Sequence, residues 1–331
     1  MRFIIYGAGG VGCVIGAELH RAGINTTLIA RGEHLAALNR QGLRYQTPHG
    51  DENIRLDAVA HPQALVPQAD DIVLITAKSQ HTSSILHDLR ATLGTDVPVI
   101  CCQNGVDNER MALRMFSRVY AMLVYLPAQL TEPGVVQCHA MHKSGVLDLS
   151  CFPSGTDALC NEVADALNDA NFSVKPHGTV MRFKYAKLLI NLNNAIEAVL
   201  PASPTREQLA VLAQAEGKAC LQAAGIAFAS PEEVRKRRQG VLKSGDIPGV
   251  PRVGGSSRQS LLRATGDIEA DYLNGEIVTL GRLHGVPTPV NSLFQRLANQ
   301  LASRRLPPGS FDEDNIRTQL QGAGATLTEA E

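Results

Sequence analysis

The sequence predicts an α/β protein, with a doubly wound parallel sheet in its amino-terminal half and an all-helical carboxy-terminal half. Three observations predict it. Short apolar, β-branched runs alternate with helix-compatible stretches through residues 3–171. The run Asp71–Ala77 (DIVLITA) is a stretch of apolar and β-branched residues after its first position, as a parallel strand buried on both faces requires. Beyond Val180 such runs largely vanish and helical periodicity takes over.

Each element follows in turn. Phe3–Tyr6 reads as a strand running into the turn Gly7-Ala8-Gly9-Gly10-Val11-Gly12, and Val11–Arg21 as a helix. Thr26–Ala30 is a second strand, Glu33–Arg40 a helix, and Leu43–Gln46 and Ile54–Val59 shorter strands. Asp71–Ala77 and Val97–Cys102 are buried strands; Val119–Tyr125 and Gly145–Leu149 are later ones, followed by a helix over Asp157–Asn171. Strand and helix in this rhythm give a doubly wound sheet. The second half offers helices at Arg182–Leu200, Arg206–Ala224, Pro231–Leu242, Ser256–His284 (with a break near Gly266) and Val290–Arg304, and a loop over Ser244–Pro251. The expected domains are 1–178, a sheet domain, and 179–306, a helical domain, with 307–331 a loose tail rich in Gly, Pro and acidic residues. The cleft between the domains is the default site.

Composition narrows the class. The chain has 331 residues, enough for two domains, with 44% hydrophobic and 19% charged residues, as in ordinary globular proteins. A net charge of −1 gives no reason to expect a nucleic-acid or anionic-membrane partner. The basic run Arg235–Arg238 follows Pro231-Glu232-Glu233 and reads as a solvated helix end that suits the dipole. No apolar stretch is long enough for a membrane helix, and the glycine-rich start is not a signal peptide. Seven cysteines without C-x-x-C spacing are expected to be reduced thiols in a cytoplasmic protein. His139 and His142 lack companion ligands, so no metal is expected, and no G-x-S-x-G suggests a hydrolase.

The chemistry starts at the first turn. G-x-G-x-x-G between a strand and a helix is the Rossmann-type fingerprint. Gly7 permits the tight turn, Gly9 lets backbone approach a pyrophosphate, and Gly12 lets helix pack on strand. Amides at the helix start then face the phosphates. At the end of the second strand, nineteen positions after Gly12, stands Arg31, where an acidic residue would favour NAD. A guanidinium fits a 2′-phosphate, so NADP is expected, against the alternative of a surface arginine at a strand end. Lys78 and Asn104 end two further strands, at the edge where ligands bind in open α/β sheets.

A second constellation lies in the helical half. Lys187, Asn191 and Asn194 recur at i, i+4 and i+7 on an otherwise apolar stretch, which places them on one face. A buried lysine is costly to keep charged, and one so tuned can donate a proton to a carbonyl oxygen as hydride reaches its carbon. The alternative is an amide–lysine network tying helices together. Ser257 and Glu269 could hold a carboxylate and pair with Lys187 or a cofactor amide, or serve as ordinary helix-cap and helix-surface residues.

Taken together, Gly7–Gly12, Arg31, Lys78, Gln103-Asn104-Gly105, Lys187…Asn191 and Ser257…Glu269-Ala-Asp271-Tyr272-Leu-Asn274-Gly275 resemble, in order, the motifs of the ketopantoate reductases (2-dehydropantoate 2-reductases). The resemblance runs from the glycine turn to Pro-Val-Asn near residue 290. It implies NADPH-dependent reduction of a 2-oxo acid, for ketopantoate a step toward pantothenate and coenzyme A. It also implies Lys187 as proton donor, with Asn104, Asn191 and Ser257 on substrate; Asn194, one residue short of the family's second asparagine but on the same helix face as Lys187, is expected to hold substrate as well. Asn104, Glu269 and the backbone of Ala128 would contact the cofactor. Two positions depart: Ala195 stands where the family pattern has a second asparagine, and Leu261 where it has an aspartate. Both lie where substrate should be read. The alternatives are a reductase of another 2-oxo acid or imine, and a non-catalytic NADP sensor. A homodimer is compatible with the late helices.

Overall fold

The computed structural model describes residues 1–250, 254–263 and 266–322. They form two compact units, one of Met1–Lys184 with Ser230–Pro251, the other of Tyr185–Ala229 with Arg252–Glu331.

In the first unit the chain alternates as its apolar runs dictate: β1 (Arg2–Tyr6), α1 (Gly10–Arg21), β2 (Thr26–Ile29), α2 (Gly32–Gln41), β3 (Leu43–Thr47), β4 (Gly50–Ile54), β5 (Asp57–Val59), β6 (Asp71–Ile75), α3 (Thr82–Leu93), β7 (Val99–Cys101), α4 (Asn108–Leu113), β8 (Val119–Met122), β9 (Ala128–Glu132), β10 (Val135–Cys138), β11 (Leu149–Cys151) and α5 (Ala158–Asp169). The main sheet runs β11-β8-β7-β6-β1-β2-β5, parallel except for the antiparallel edge strand β11. Strand order therefore reverses direction at β1, and the crevice beyond the carboxyl ends of β1 and β6 is where such sheets bind ligands.

Period-two alternation explains why both faces are covered. Phe3 and Ile5 of β1, with Ile72 and Leu74 of β6, enter one core with Ile15 of α1 and Leu167 of α5. Ile4 and Tyr6, with Val73 and Ile75, enter another with Ile85, Leu86 and Leu89 of α3. Successive side chains point to opposite faces, so a continuous apolar run needs a helix on each side.

Several expectations change here. Ile54–Val59 is not one strand, because β4 turns back on β3 while β5 joins β2. A small mixed sheet, β4-β3-β10-β9, brings residues 43–54 beside 128–138. The basic run ends α9 (Pro231–Arg238), which Ser230 and Glu233 open with a capping box. It is not merely a solvated helix end. Arg237 donates to buried Asp148 at 2.6 and 2.5 Å, and Arg238 lies 4.7 Å over the Tyr125 ring. These bonds place 230–251 with the sheet unit, so the helical unit is not a single stretch from 179.

Helix α6 (Val180–Asn191) carries the unit boundary between Lys184 and Tyr185. The second unit continues with α7 (Asn193–Val199), α8 (Pro204–Ala223), α10 (Ser256–Leu262), α11 (Asn274–His284), α12 (Pro289–Ser303) and α13 (Glu313–Gly322). The expected single helix 182–200 is broken at Leu192. α12 shows the wide apolar stripe of a core helix, with Val290, Leu293, Phe294, Leu297 and Leu301 buried. Its first amides, those of Val290 and Asn291, donate to Glu216 at 2.8 and 2.9 Å. The tail is not loose over its first part. Ile316 and Leu320, four apart on α13, are buried, and that spacing gives a helix one apolar face. Residues 323–331 of the expected tail, with Ala264, Thr265 and Pro251 of the expected helix break and loop, lie outside the described residues. Among the described residues no helix is long and apolar enough to cross a membrane.

Candidate active site

The glycine turn has the geometry its spacing predicts. Gly7 has φ +112°, and a Cβ there would lie 2.5 Å from the Ala77 amide nitrogen, so only glycine fits. A Cβ on Gly12 would lie 2.6 Å from Thr76 Oγ1 and closer still to the Gly7 carbonyl. Gly9 is the N-cap of α1; no side chain caps that helix, and its first turn carries no acidic residue. The first-turn amides thus remain open to an anion, and the space beside Gly9 is clear. Ala128 stands at the start of β9 with its carbonyl 3.4 Å from where a Gly10 Cβ would be, so its backbone borders the same turn. These features fit a dinucleotide pyrophosphate. Gly12→Ala is expected to cost about 1–3 kcal/mol through overpacking and to abolish dinucleotide binding. Thermal unfolding with and without a nicotinamide dinucleotide checks both: wild type should gain stability from the nucleotide, and the variant should not.

Arg31 is exposed, in extended backbone at the N-cap of α2, directly after β2 and Ala30. One turn on, His34 was not singled out by sequence. Its Nδ1 accepts the Gly134 amide at 3.0 Å, and its Nε2 lies 3.4 Å from Cys13 Sγ. It thereby ties α2 to the β9–β10 turn and to α1. Burial holds its imidazole below the usual value.

At the carboxyl ends of β6 and β7 a polar network fixes two loops. Gln103 Nε2 donates to the Ala77 carbonyl at 2.7 Å and to Thr82 Oγ1 at 2.9 Å. Asn108 Nδ2 donates to the Asn104 carbonyl at 3.0 Å and to Ser79 Oγ at 3.1 Å, while Ser79 Oγ also reaches that carbonyl at 3.3 Å. Two donors therefore hold the backbone of Asn104. Its side-chain Oδ1 is buried with no hydrogen-bond partner among the described residues. Lys78, at the start of the 3-10 turn Ser79–His81, is half-buried beside this network. Gln80, also unremarked in the sequence, buries both amide atoms without a hydrogen-bond partner among the described residues.

The lysine that sequence reasoning expected to be buried is a different one. Lys184 is 3% exposed; Lys187 is half-buried. Lys184 Nζ donates to the carbonyls of Gln103 at 3.1 Å, Met122 at 3.3 Å and Cys101 at 3.5 Å, and to Glu109 Oε1. It ties α6 to the ends of β7 and β8. Lys187 keeps its place one turn further along α6.

In the second unit, Asn191 is buried on α6, and its Nδ2 has no hydrogen-bond partner among the described residues. Beyond the break, Asn194 lies in the first turn of α7. Its Oδ1 lies 3.2 Å from where a Gly255 Cβ would be, beside the N-terminus of α10, which carries buried Ser257. Glu197, a further residue sequence did not pick, accepts the Gly255 amide at 3.3 Å and seats α10 on α7. The structure thus brings Asn194 and Ser257 to one place. Glu269 is buried in the 3-10 turn Glu269–Tyr272. The residues following it are structural: Asp271 accepts from Gln295 at 2.8 Å and Asn299 at 2.6 Å, and Asn274 Nδ2 donates to the Leu192 carbonyl at 3.1 Å. The departing positions, Ala195 and Leu261, are both buried. His139 and His142 join no third ligand-type side chain among the described residues.

The family model described as ketopantoate reductase PanE/ApbA matches residues 3–153, and its C-terminal companion matches residues 170–302. The chain is similar to a 2-dehydropantoate 2-reductase of Pyrococcus horikoshii, 27% identical over 307 residues, covering 90% of this chain and 96% of that protein. Among solved structures it resembles a PanE/ApbA family ketopantoate reductase from Ralstonia eutropha JMP134, with a TM-score of 0.77 and 29% identity over 92% of this chain and 99% of that one. It also shares a fold with a D-mandelate dehydrogenase solved with NADH and anilino(oxo)acetate, at TM-score 0.79 and 21% identity over 93% of this chain and 100% of that one.

Proposed function

The chain belongs to the ketopantoate reductase family, and from that premise we propose that it reduces a 2-oxo acid, foremost ketopantoate, to the 2-hydroxy acid with NADPH, Lys187 supplying the proton. The observation that supports the reading most directly is that two buried amide atoms, Asn104 Oδ1 and Asn191 Nδ2, have no hydrogen-bond partner among the described residues. A buried polar atom left unpaired costs about 1–3 kcal/mol, a cost a ligand removes. One is an acceptor at the sheet's ligand-binding edge; the other is a donor one turn beyond Lys187.

The roles follow from donor type. The open amides of α1 and the Gly7–Gly12 turn hold the pyrophosphate, with the Ala128 backbone alongside. Arg31 takes the ribose 2′-phosphate, and Lys78 adds positive charge at the strand edge. Asn104 Oδ1 accepts from a cofactor amide or a substrate hydroxyl. When bound, NADPH supplies the hydride that reduces substrate C2. Lys187 gives its proton to the carbonyl oxygen as that oxygen gains negative charge. Asn191 donates to the same end of the substrate, while Ser257, with Asn194 nearby, holds its carboxylate. Buried Glu269 accepts from a donor on the cofactor side. All seven cysteines are free, which supports a cytoplasmic setting.

Arg31 tests the cofactor. Arg31→Ala is expected to lower kcat/KM for NADPH by about 10- to 100-fold, the worth of one or two hydrogen bonds to a charged group, and to leave the value for NADH unchanged. An equal loss with both cofactors, or none with either, would remove the case for a 2′-phosphate site.

A second reading, reduction of a different 2-oxo acid by the same residues, is favoured by Ala195 and Leu261. Both positions are buried with apolar side chains where the family pattern carries an amide and a carboxylate. Rates of NADPH oxidation with ketopantoate beside a panel of 2-oxo acids separate the two. The highest kcat/KM on another acid would replace ketopantoate and keep the mechanism.

A further inference from the structure

One cluster of chemistry-bearing side chains lies outside both constellations. Cys151 ends the edge strand β11, directly opposite Tyr120 of β8 in the antiparallel register. The chain then turns through residues 152–156, Asp157 caps α5, and Cys160 lies in that helix's first turn. The two sulfurs are 4.0 Å apart. An Asp157 carboxylate oxygen and both sulfurs all lie within 4.8 Å of one another.

That spacing discriminates between two uses of a thiol pair. A disulfide requires about 2.05 Å between sulfurs. Tetrahedral zinc, with bonds of about 2.3 Å to each thiolate, holds two sulfurs about 3.8 Å apart. The observed separation is nearly twice the first and close to the second.

The carboxylate is already oriented by outer partners. Tyr120 donates to Oδ2 at 2.7 Å, and the Cys160 amide donates to Oδ1 at 2.9 Å. Ligating carboxylates are commonly held in this way. The cluster is reached from the Asp157 and Cys151 side: Asp157 is exposed and Cys151 half-buried, while Cys160, like Cys13, Cys101, Cys102, Cys138 and Cys220, is buried.

We propose that Cys151, Cys160 and Asp157 form a structural site for a thiophilic divalent cation of the zinc type, joining edge strand β11 to α5. Two metal–sulfur bonds and one metal–oxygen bond form, two thiol protons pass to solvent, and water takes the fourth position. No electrons are transferred.

Titrating the reduced, chelator-treated full-length protein with Co(II) tests this. Wild type should bind one equivalent, develop thiolate-to-cobalt charge transfer with the visible bands of a tetrahedral ion, and lose both on adding Zn(II). About two protons should be released per ion. Zn(II) should raise the Tm of wild type but not of Cys151→Ser or Cys160→Ser, and Asp157→Asn should bind at least about tenfold more weakly. The serine variants should keep wild-type NADPH turnover, showing that they fold. The proposal is overturned if thiol-intact wild type develops no charge-transfer band, if the band survives in the double serine variant, or if the isolated protein is two hydrogens lighter with these cysteines joined.

Discussion

Replacing Lys187 with alanine is expected to lower kcat by about 10²- to 10⁴-fold, the usual worth of a positioned general acid, without impairing NADPH binding. Stopped-flow or steady-state loss of NADPH absorbance, with ketopantoate and the 2-oxo acid panel, measures the first; nucleotide fluorescence measures the second. The expectation separates the two roles that a lysine on this helix can have. Lys184 is buried, with four oxygen partners in the sheet unit, and spends its donors on structure. Lys187 lies on the same helix, half-buried, one turn before an asparagine whose buried amide nitrogen has no hydrogen-bond partner among the described residues. A lysine that only tied helices together would, when removed, lower stability and raise KM while sparing kcat. A mutant with kcat within about tenfold of wild type on its best substrate would therefore end the proton-donor assignment.

The contrast between the two lysines also shows what the sequence made legible. The glycine turn could be read because each glycine meets a local steric demand: Ala77 backs onto Gly7, and Thr76 onto Gly12, both at the end of the neighbouring strand. The two-sided sheet could be read because β1 and β6, after their paired first residues Arg2 and Asp71, run on without a charged residue, as a covered parallel strand does. The small sheet could not, since it pairs residues 43–54 with 128–138 and its strands carry no continuous apolar run. The helix break at Leu192 was hidden because Asn191-Leu192-Asn193 contains neither glycine nor proline. Burial was assigned to Lys187 instead of Lys184 because the partners that tolerate a buried ammonium are strand-end carbonyls and a glutamate 75 residues away. Arg237 was read as solvated for the same reason: its carboxylate, Asp148, is 89 residues distant. Local rules find turns and faces. Pairing between charges across the fold needs the fold.

Lys184→Met is expected to cost about 3–5 kcal/mol of stability, the loss seen when one partner of a buried ion pair is removed. Glu109 would then be a fully buried carboxylate with no counter-charge, and its Oε2 already lacks a hydrogen-bond partner among the described residues. Three strand-end carbonyls would lose their donor as well, that of Gln103 beside Asn104 among them. The pH dependence identifies the cause. Burial, outweighing the Lys184 charge, holds the Glu109 carboxyl above its usual value in the folded protein. A carboxyl raised by folding costs stability at pH values above its folded value, and the cost disappears below its unfolded value, near 4.3. Without Lys184 only the burial is left, so the folded value moves higher and the cost at neutral pH grows. The gap between mutant and wild type should therefore narrow as pH falls toward about 4.3. A gap independent of pH would assign the loss to packing and the abandoned carbonyls instead. Adding Glu109→Leu should recover most of the stability, since an apolar pair of similar volume commonly replaces a buried ion pair at little cost. That double variant should still bind NADPH and substrate less tightly than wild type, because the turn bearing Asn104 has lost the ammonium that holds it from beneath. Urea unfolding across pH, with KM measured on the double variant, distinguishes a charge pair that only stabilises the sheet from one that also positions the asparagine.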